Sequence, residues 1–215
     1  MNENFLENQL DISKKSKIKI FYNSNKKIII ISFILIIILG FAASVFFDYQ
    51  KKERIKISEN YINAKILLEN KKQDEALKLL KDLIFINDKT YSSLSLFMII
   101  NENLIEDTTE LNILINHLLS NNNYDTEIKN LLIFKKALLN AEIINESDLL
   151  DSLLPIINSN SLWKIHALLL IGDFYVSNSE YTKAKEFYAQ ILSIKNLNDD
   201  VYRAVRSKLE ITAND

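Results

Sequence analysis

The sequence predicts an all-α protein in which one membrane-length helix precedes a series of packed helix pairs. Three observations carry that expectation. Residues 28–47 read IIIISFILIIILGFAASVFF, twenty positions without a charge. The whole chain holds two glycines and one proline, so the turn chemistry that sheets and hairpins require is almost missing. Beyond position 57, apolar residues recur at helical spacing in one segment after another.

At a helical rise of ~1.5 Å per residue the uncharged run matches the ~30 Å hydrocarbon core of a bilayer, so it is expected to cross once. Six lysines precede it, at 14, 15, 17, 19, 26 and 27, while Lys51, Lys52, Arg54 and Lys56 after it are diluted by Asp48 and Glu53. Lys-rich and Arg-rich loops stay on the cytoplasmic side, which places 1–27 inside as a basic segment, 28–47 in the membrane and 48–215 outside. A cleavable signal peptide competes, because Ala42, Ala43 and Ser44 suit a peptidase. A typical signal core of roughly 7–15 apolar residues and a short preceding segment fit this chain less well than a retained anchor.

Charge and composition exclude several function classes. The first 27 residues carry a net +3, which leaves −5 on the rest. An acidic outer part argues against nucleic acid, whose phosphates need a basic surface. Cysteine is absent, so disulfides, thiolate metal sites and cysteine nucleophiles are out. The two histidines, His117 and His166, lack a second ligand at metal-binding spacing, and His166 shares a helical face with Trp163, which favours packing. A body with one glycine offers no phosphate loop. No enzyme, cofactor, metal or small-molecule substrate is expected.

Along the outer part the stripe Ile57, Tyr61, Ala64 and Leu68 is expected to form a helix. The polar break Glu69 to Asp74 turns it into a second, striped by Ala76, Leu80 and Leu83. Tyr91 to Asn103 is a third. Thr108 or Thr109 can cap a fourth that runs to about Ser120, and the cluster Asn121 to Asn123 ends it. Asp125 opens a fifth, striped by Ile128, Leu131, Leu132, Leu138 and Leu139. Ser147 can cap a sixth through Leu154, with Pro155 near its end. Segments 161–177 and 180–194 read as two longer helices, and a last begins near Asp199 with Val201, Val205 and Leu209. The scarcity of glycine leaves asparagine to stand in at turns.

Tandem pairs call for a repeat, and residues 168–192, LLLIGDFYVSNSEYTKAKEFYAQIL, resemble the tetratricopeptide unit. Ile171, Gly172 and Tyr175 lie on the first helix, and Tyr181, Ala184 and Tyr188 on the second. Small residues at 172 and 184 let the helices approach while the tyrosines fill the surrounding space. A weaker copy over 57–90 puts Ala64, Leu67, Ala76, Leu80 and Leu83 at the equivalent places. Tyr91 to Ser120 and Asp125 to Ile157 have the periodicity without the signature small residues. The expected domain is therefore a tetratricopeptide-like α-solenoid of about four helix pairs, closed by a capping helix.

The order of parts resembles the ancillary SecYEG translocon subunit family, YfgM-like, and related alphaproteobacterial tetratricopeptide-like proteins. The stretches that carry the likeness are NENFLENQLDISKKSKIKIFYNSNKK before the span, FFDYQKKER leaving it, TYSSLSLFMII, and LWKIHALLLIGDFYVSNSEYTKAKEFYAQIL. Where that family often has Ala and Gly, this chain has Ile99 or Leu111. The resemblance implies a bacterial inner-membrane, single-pass protein with a periplasmic repeat domain. Its implied work is an interaction scaffold that assists proteins at the exit of the Sec channel, through channel subunits or periplasmic chaperones. Related repeat domains also serve envelope assembly and cell division, which is the alternative.

Tetratricopeptide units bind through the inner face of each first helix. Carried over by position, that face presents Ser58, Tyr61, Lys65 and Leu68 on the first unit and His166, Leu169, Asp173 and Val176 on the strong one. Such a groove accepts an extended peptide or a partner helix, unless the terminal helix fills it. Before the span, Phe5, Leu6, Leu10, Ile12, Ile18, Phe21 and Tyr22 alternate with lysines, so that segment either lies on anionic lipid or only sets topology. Retention of the anchor predicts that alkaline carbonate leaves the intact chain in the vesicle pellet. A mature mass consistent with cleavage after Ala42 or Ser44 would replace the anchored form with a released one.

Overall fold

The computed structural model describes the backbone of residues 3–121 and 124–213, with side chains from position 20 onward except at 23, 29 and 213. The segment 3–19 is described as backbone only, so the amphipathic reading of its side chains lies outside the described residues. Among the described residues there are nine helices and no strand: α1 (Glu3–Glu69), α2 (Gln73–Phe85), α3 (Tyr91–Asn101), α4 (Thr108–Asn121), α5 (Thr126–Leu139), α6 (Glu146–Ile157), α7 (Lys164–Ser177), α8 (Tyr181–Leu192) and α9 (Asp199–Ala213). The contacts divide the chain into two compact units, Met1–Ser58 and Glu59–Asp215.

The first unit consists of α1 before Glu59. Its apolar run is exposed at every described position, with Phe33 at 65% and Phe41 at 71%. Within Ser24–Glu69 the helix is long and apolar enough to cross a membrane. Soluble monomers rarely leave a contiguous apolar surface of that size to water. The sequence predicts one helix ending at Phe47 and another from about Ile57, but the backbone makes no such break. Polar residues 48–56 contain neither glycine nor proline, and polarity alone does not end a helix.

In the second unit each helix from α2 onward packs against the next, and α5 also touches α7. Ala64, Ala76, Leu80, Leu83, Ile84, Leu96 and Ile99 are fully buried at the α1 side. Toward α9 a continuous cluster joins Phe134, Leu149, Leu153, Ile156, Leu168, Ile171, Tyr175, Tyr188, Ile191 and Val205. Ile99 and Leu111, in place of small residues, are absorbed as core at 0% and 4% exposure. The α2–α3 contact has its own small residues instead. Ser92, Ser93 and Ser95 are buried on α3, and the Ser92 hydroxyl donates to the Leu83 carbonyl at 2.7 Å. A serine hydroxyl that bonds backbone adds little bulk, so the two helices can sit close.

Helix ends follow the composition. Among the described residues five adopt left-handed φ, namely Lys71, Asn87, Asn103, Ser179 and Asn196, and three of them are asparagine, the residue that tolerates this region best after glycine. At Lys71, Asn103 and Ser179 the chain closes with paired backbone bonds: Lys72 to Leu67 at 2.9 Å, Leu104 to Ile99 at 3.0 Å, and Glu180 to Tyr175 at 2.8 Å. These satisfy carbonyls that a helix end would leave bare. Asp125 stands at the start of α5 as expected, but the amino-terminal caps of α4 and α6 differ from those expected. Asp107 accepts from the Thr109 N–H at 2.8 Å, and Asn145, not Ser147, caps α6 by accepting from the Asp148 N–H at 2.9 Å. Because α6 runs to Ile157, Pro155 lies inside it. Pro155 and Asp151 are both exposed, which leaves the carbonyl freed by the missing N–H open to water.

Helices α7 and α8 meet at Gly172. A Cβ there would stand 2.9 Å from Tyr188 Cδ1 and 3.0 Å from its Cζ. The ring is 1% exposed and its hydroxyl is tied to Asp173, so it has nowhere to swing. Gly172→Ala should therefore destabilise the domain by about 1–2 kcal/mol, overpacking outweighing the ~1 kcal/mol that alanine gains in helix propensity. Denaturant melts of the two proteins check this, and an unchanged midpoint would remove the close approach from the account.

Candidate functional site

The face carried over to α7 is built by spacing. His166, Leu169, Asp173 and Val176 lie three and four residues apart and so share one side of a helix. His166 is exposed and rests against aromatic rings, 5.4 Å from Trp163 and 5.9 Å from Phe134 between centroids. Leu169 and Val176 are half-buried. Asp173 is engaged from two sides: the Tyr188 hydroxyl donates to its Oδ1 at 2.5 Å, and Lys208 of α9 donates to the same oxygen at 2.7 Å. Burial first, and then this bond to Asp173, push the Tyr188 phenol well above its ordinary range. A cavity of about 280 Å³ remains between α7 and α9, lined by Val176, Ser177, Ile211 and Thr212 among others. The terminal helix thus reaches the Asp173 end of this face through Lys208, while Asp173 and His166 both stay exposed.

The corresponding face at the end of α1 has a different setting. Tyr61 packs on Tyr91 of α3 with centroids 5.6 Å apart, and burial followed by that neighbouring phenol raises its pKa. Lys65 is exposed, while Ser58 and Leu68 are half-buried. Of the residues expected to pack the repeats, Ala64, Ala76, Ile171, Gly172, Tyr175, Ala184 and Tyr188 are all buried, and Tyr181 is half-buried at the start of α8.

Sequence reasoning did not find the polar junction of α6, α7 and α8. Glu146, the first residue of α6, accepts from the Tyr175 hydroxyl at 2.7 Å and from Lys183 at 2.8 Å. Lys183 also pairs with Glu180 at 2.7 Å and stands 5.0 Å over the Tyr175 ring. The Lys183 ammonium, and after it the Tyr175 hydroxyl, hold the Glu146 carboxyl below its ordinary 4.5. Burial, and then Glu146, push Tyr175 up to about 12. Glu146 and Lys183 lie 37 positions apart, so no local pattern announces the pair. The same holds for Glu127 on α5, which accepts from the Ser161 hydroxyl at 3.0 Å and the Leu162 N–H at 2.9 Å just ahead of α7. A carboxylate at the amino end of a helix also meets the favourable end of its dipole.

Two larger hollows lie nearby. One of about 550 Å³ is mostly apolar, with Leu119, Ile133, Ile143 and Ile144 around a reciprocal Asn112–Asn140 amide pair at 2.7 and 2.9 Å. The other, of about 690 Å³, mixes Ile144, Leu170 and Phe174 with Glu142, Glu146 and Glu180. Among the described residues no group of three or more His, Cys, Asp or Glu side chains is placed to hold a metal ion. What these surfaces offer chemically is apolar contact and hydrogen bonding along helix faces. No protein-family model matches the chain, and comparisons with curated proteins and with solved structures return no match.

The junction at Glu146 has a pH signature. Its folded pKa lies below the unfolded one, so its stabilisation is complete above pH 4.5 and is lost as pH falls through the lowered value. Below pH 4.5 the wild type should lose denaturant resistance more steeply than Glu146→Gln. Parallel losses would mean that Glu146 is not linked to folding.

Proposed function

We propose that the chain is a single-pass protein of a bacterial inner membrane whose carboxyl-side helices form a tetratricopeptide-like stack. Its work is that of an interaction scaffold ancillary to the Sec translocon and its periplasmic chaperones. The observation that carries this reading is that one helix, α1, supplies both the membrane-length apolar run and, after Glu59, a packing face of the helical domain. Such a helix is a tether for a contact domain. Holding a weak binder at a bilayer raises its local concentration, so micromolar contacts suffice.

Further support comes from the packing order. Contacts of each helix with the next, together with the α5–α7 contact, fit pairs that stack in one direction, as repeats do. The open end of the α7 face, with His166, Leu169 and Trp163, offers the aromatic and aliphatic anchors that a peptide or partner helix uses. The lysines on the amino side support a periplasmic location for the domain.

Photocrosslinking from position 166 of the full-length protein in intact cells tests partner and surface together. Adducts with channel subunits or periplasmic chaperones are expected there, and a matched probe at the exposed Ile113 on α4 should give few. Loss of all such adducts at normal expression, with a fluorescent fusion concentrated at the septum, would transfer the domain to cell-division or envelope assembly.

A further inference from the structure

We propose that Lys51, Lys52, Arg54 and Lys56 form a binding collar for anionic phospholipid headgroups on the carboxyl side of the apolar run. This inference rests on α1 being a membrane span. Orientation does not account for these cations, because they oppose the bias that the six amino-side lysines create. Pairing does not account for them either. All four are exposed and make no ion pair with any described residue, although Glu53 lies three positions from Lys56 and one from Lys52.

Helix geometry puts the charges where headgroups are. Lys51 lies four residues past Phe47, ~6 Å at the helical rise, and Lys56 nine residues past it, ~13 Å. Headgroup layers extend roughly 5–8 Å beyond the hydrocarbon on each side. Helical Cα–Cβ bonds tilt toward the amino end, which here is toward the membrane, so the outer two side chains reach back into that layer. At ~100° per residue the four positions spread over an arc of about 200°. Glu53 falls outside the arc, and Asp48 falls inside it but nearest the apolar end. Phe46, Phe47 and Tyr49, each more than half exposed, supply the aromatic interface residues just below the collar. An arc of four cations at that depth, only partly offset by Asp48, selects phosphate-bearing anionic lipid over zwitterionic lipid.

The test uses the full chain reconstituted in phosphatidylcholine bilayers containing about one-third phosphatidylglycerol, an anionic surface of the kind such clusters recognise. Electron spin resonance of spin-labelled lipid reads the population held at the protein. Labelled phosphatidylglycerol should be enriched severalfold over labelled phosphatidylcholine at low salt, with the excess shrinking at high salt. The combined Lys51→Gln, Lys52→Gln, Arg54→Gln and Lys56→Gln variant should lose most of that excess. Neutralising Lys26 and Lys27 on the other side should leave the larger part. Equal loss in both variants, or full selectivity in the fourfold variant, overturns the collar while leaving the span intact. A chain that fails to float with the vesicles removes the span, and the collar with it.

Discussion

One buried ring holds the far end of the helical domain together. Tyr188 lies where a side chain at position 172 would otherwise project, and its hydroxyl reaches Asp173, the carboxylate that also receives Lys208. Through that ring α7, α8 and α9 share a core with Ile171, Ile191 and Val205. The apolar contacts dominate. Every ion pair among the described residues involves side chains at least 30% exposed, and pairs so wetted contribute little each. The domain is thus specified by which small residues allow which rings to enter.

Much of this was legible in the sequence because helices announce themselves locally. The stripes of Ala76, Leu80 and Leu83, or of Val201, Val205 and Leu209, gave helices at the right places, and the shortage of glycine pointed to asparagine at the turns. What escaped was of two kinds. Some signals were present and misread: residues 48–56 look like a boundary by polarity but contain nothing that stops a helix, and the serine run of α3 is a small-residue interface. Others have no local signal at all. Glu127 with Ser161, Glu146 with Lys183, and Asn112 with Asn140 are joined only once the helices have stacked.

The interaction face was legible as a face but not in its occupancy. Spacing places His166, Leu169, Asp173 and Val176 on one side of α7, which any helical wheel yields. That α9 would bring Lys208 to one end of it depends on where the chain returns, and periodicity is silent about that. The outcome is a divided surface, with an aromatic end around Trp163 and an end where α9 brings a cation to Asp173.

The attachment of α9 has a consequence for partial unfolding. Were 199–213 to lift away from α8, the seat of Val205 would empty and the Asp173 carboxylate would lose its ammonium partner. The detached state would display a sticky apolar cleft next to a negative charge without its cation. Anything that loosens α9 therefore opens the domain to misassociation before the remaining helices come apart.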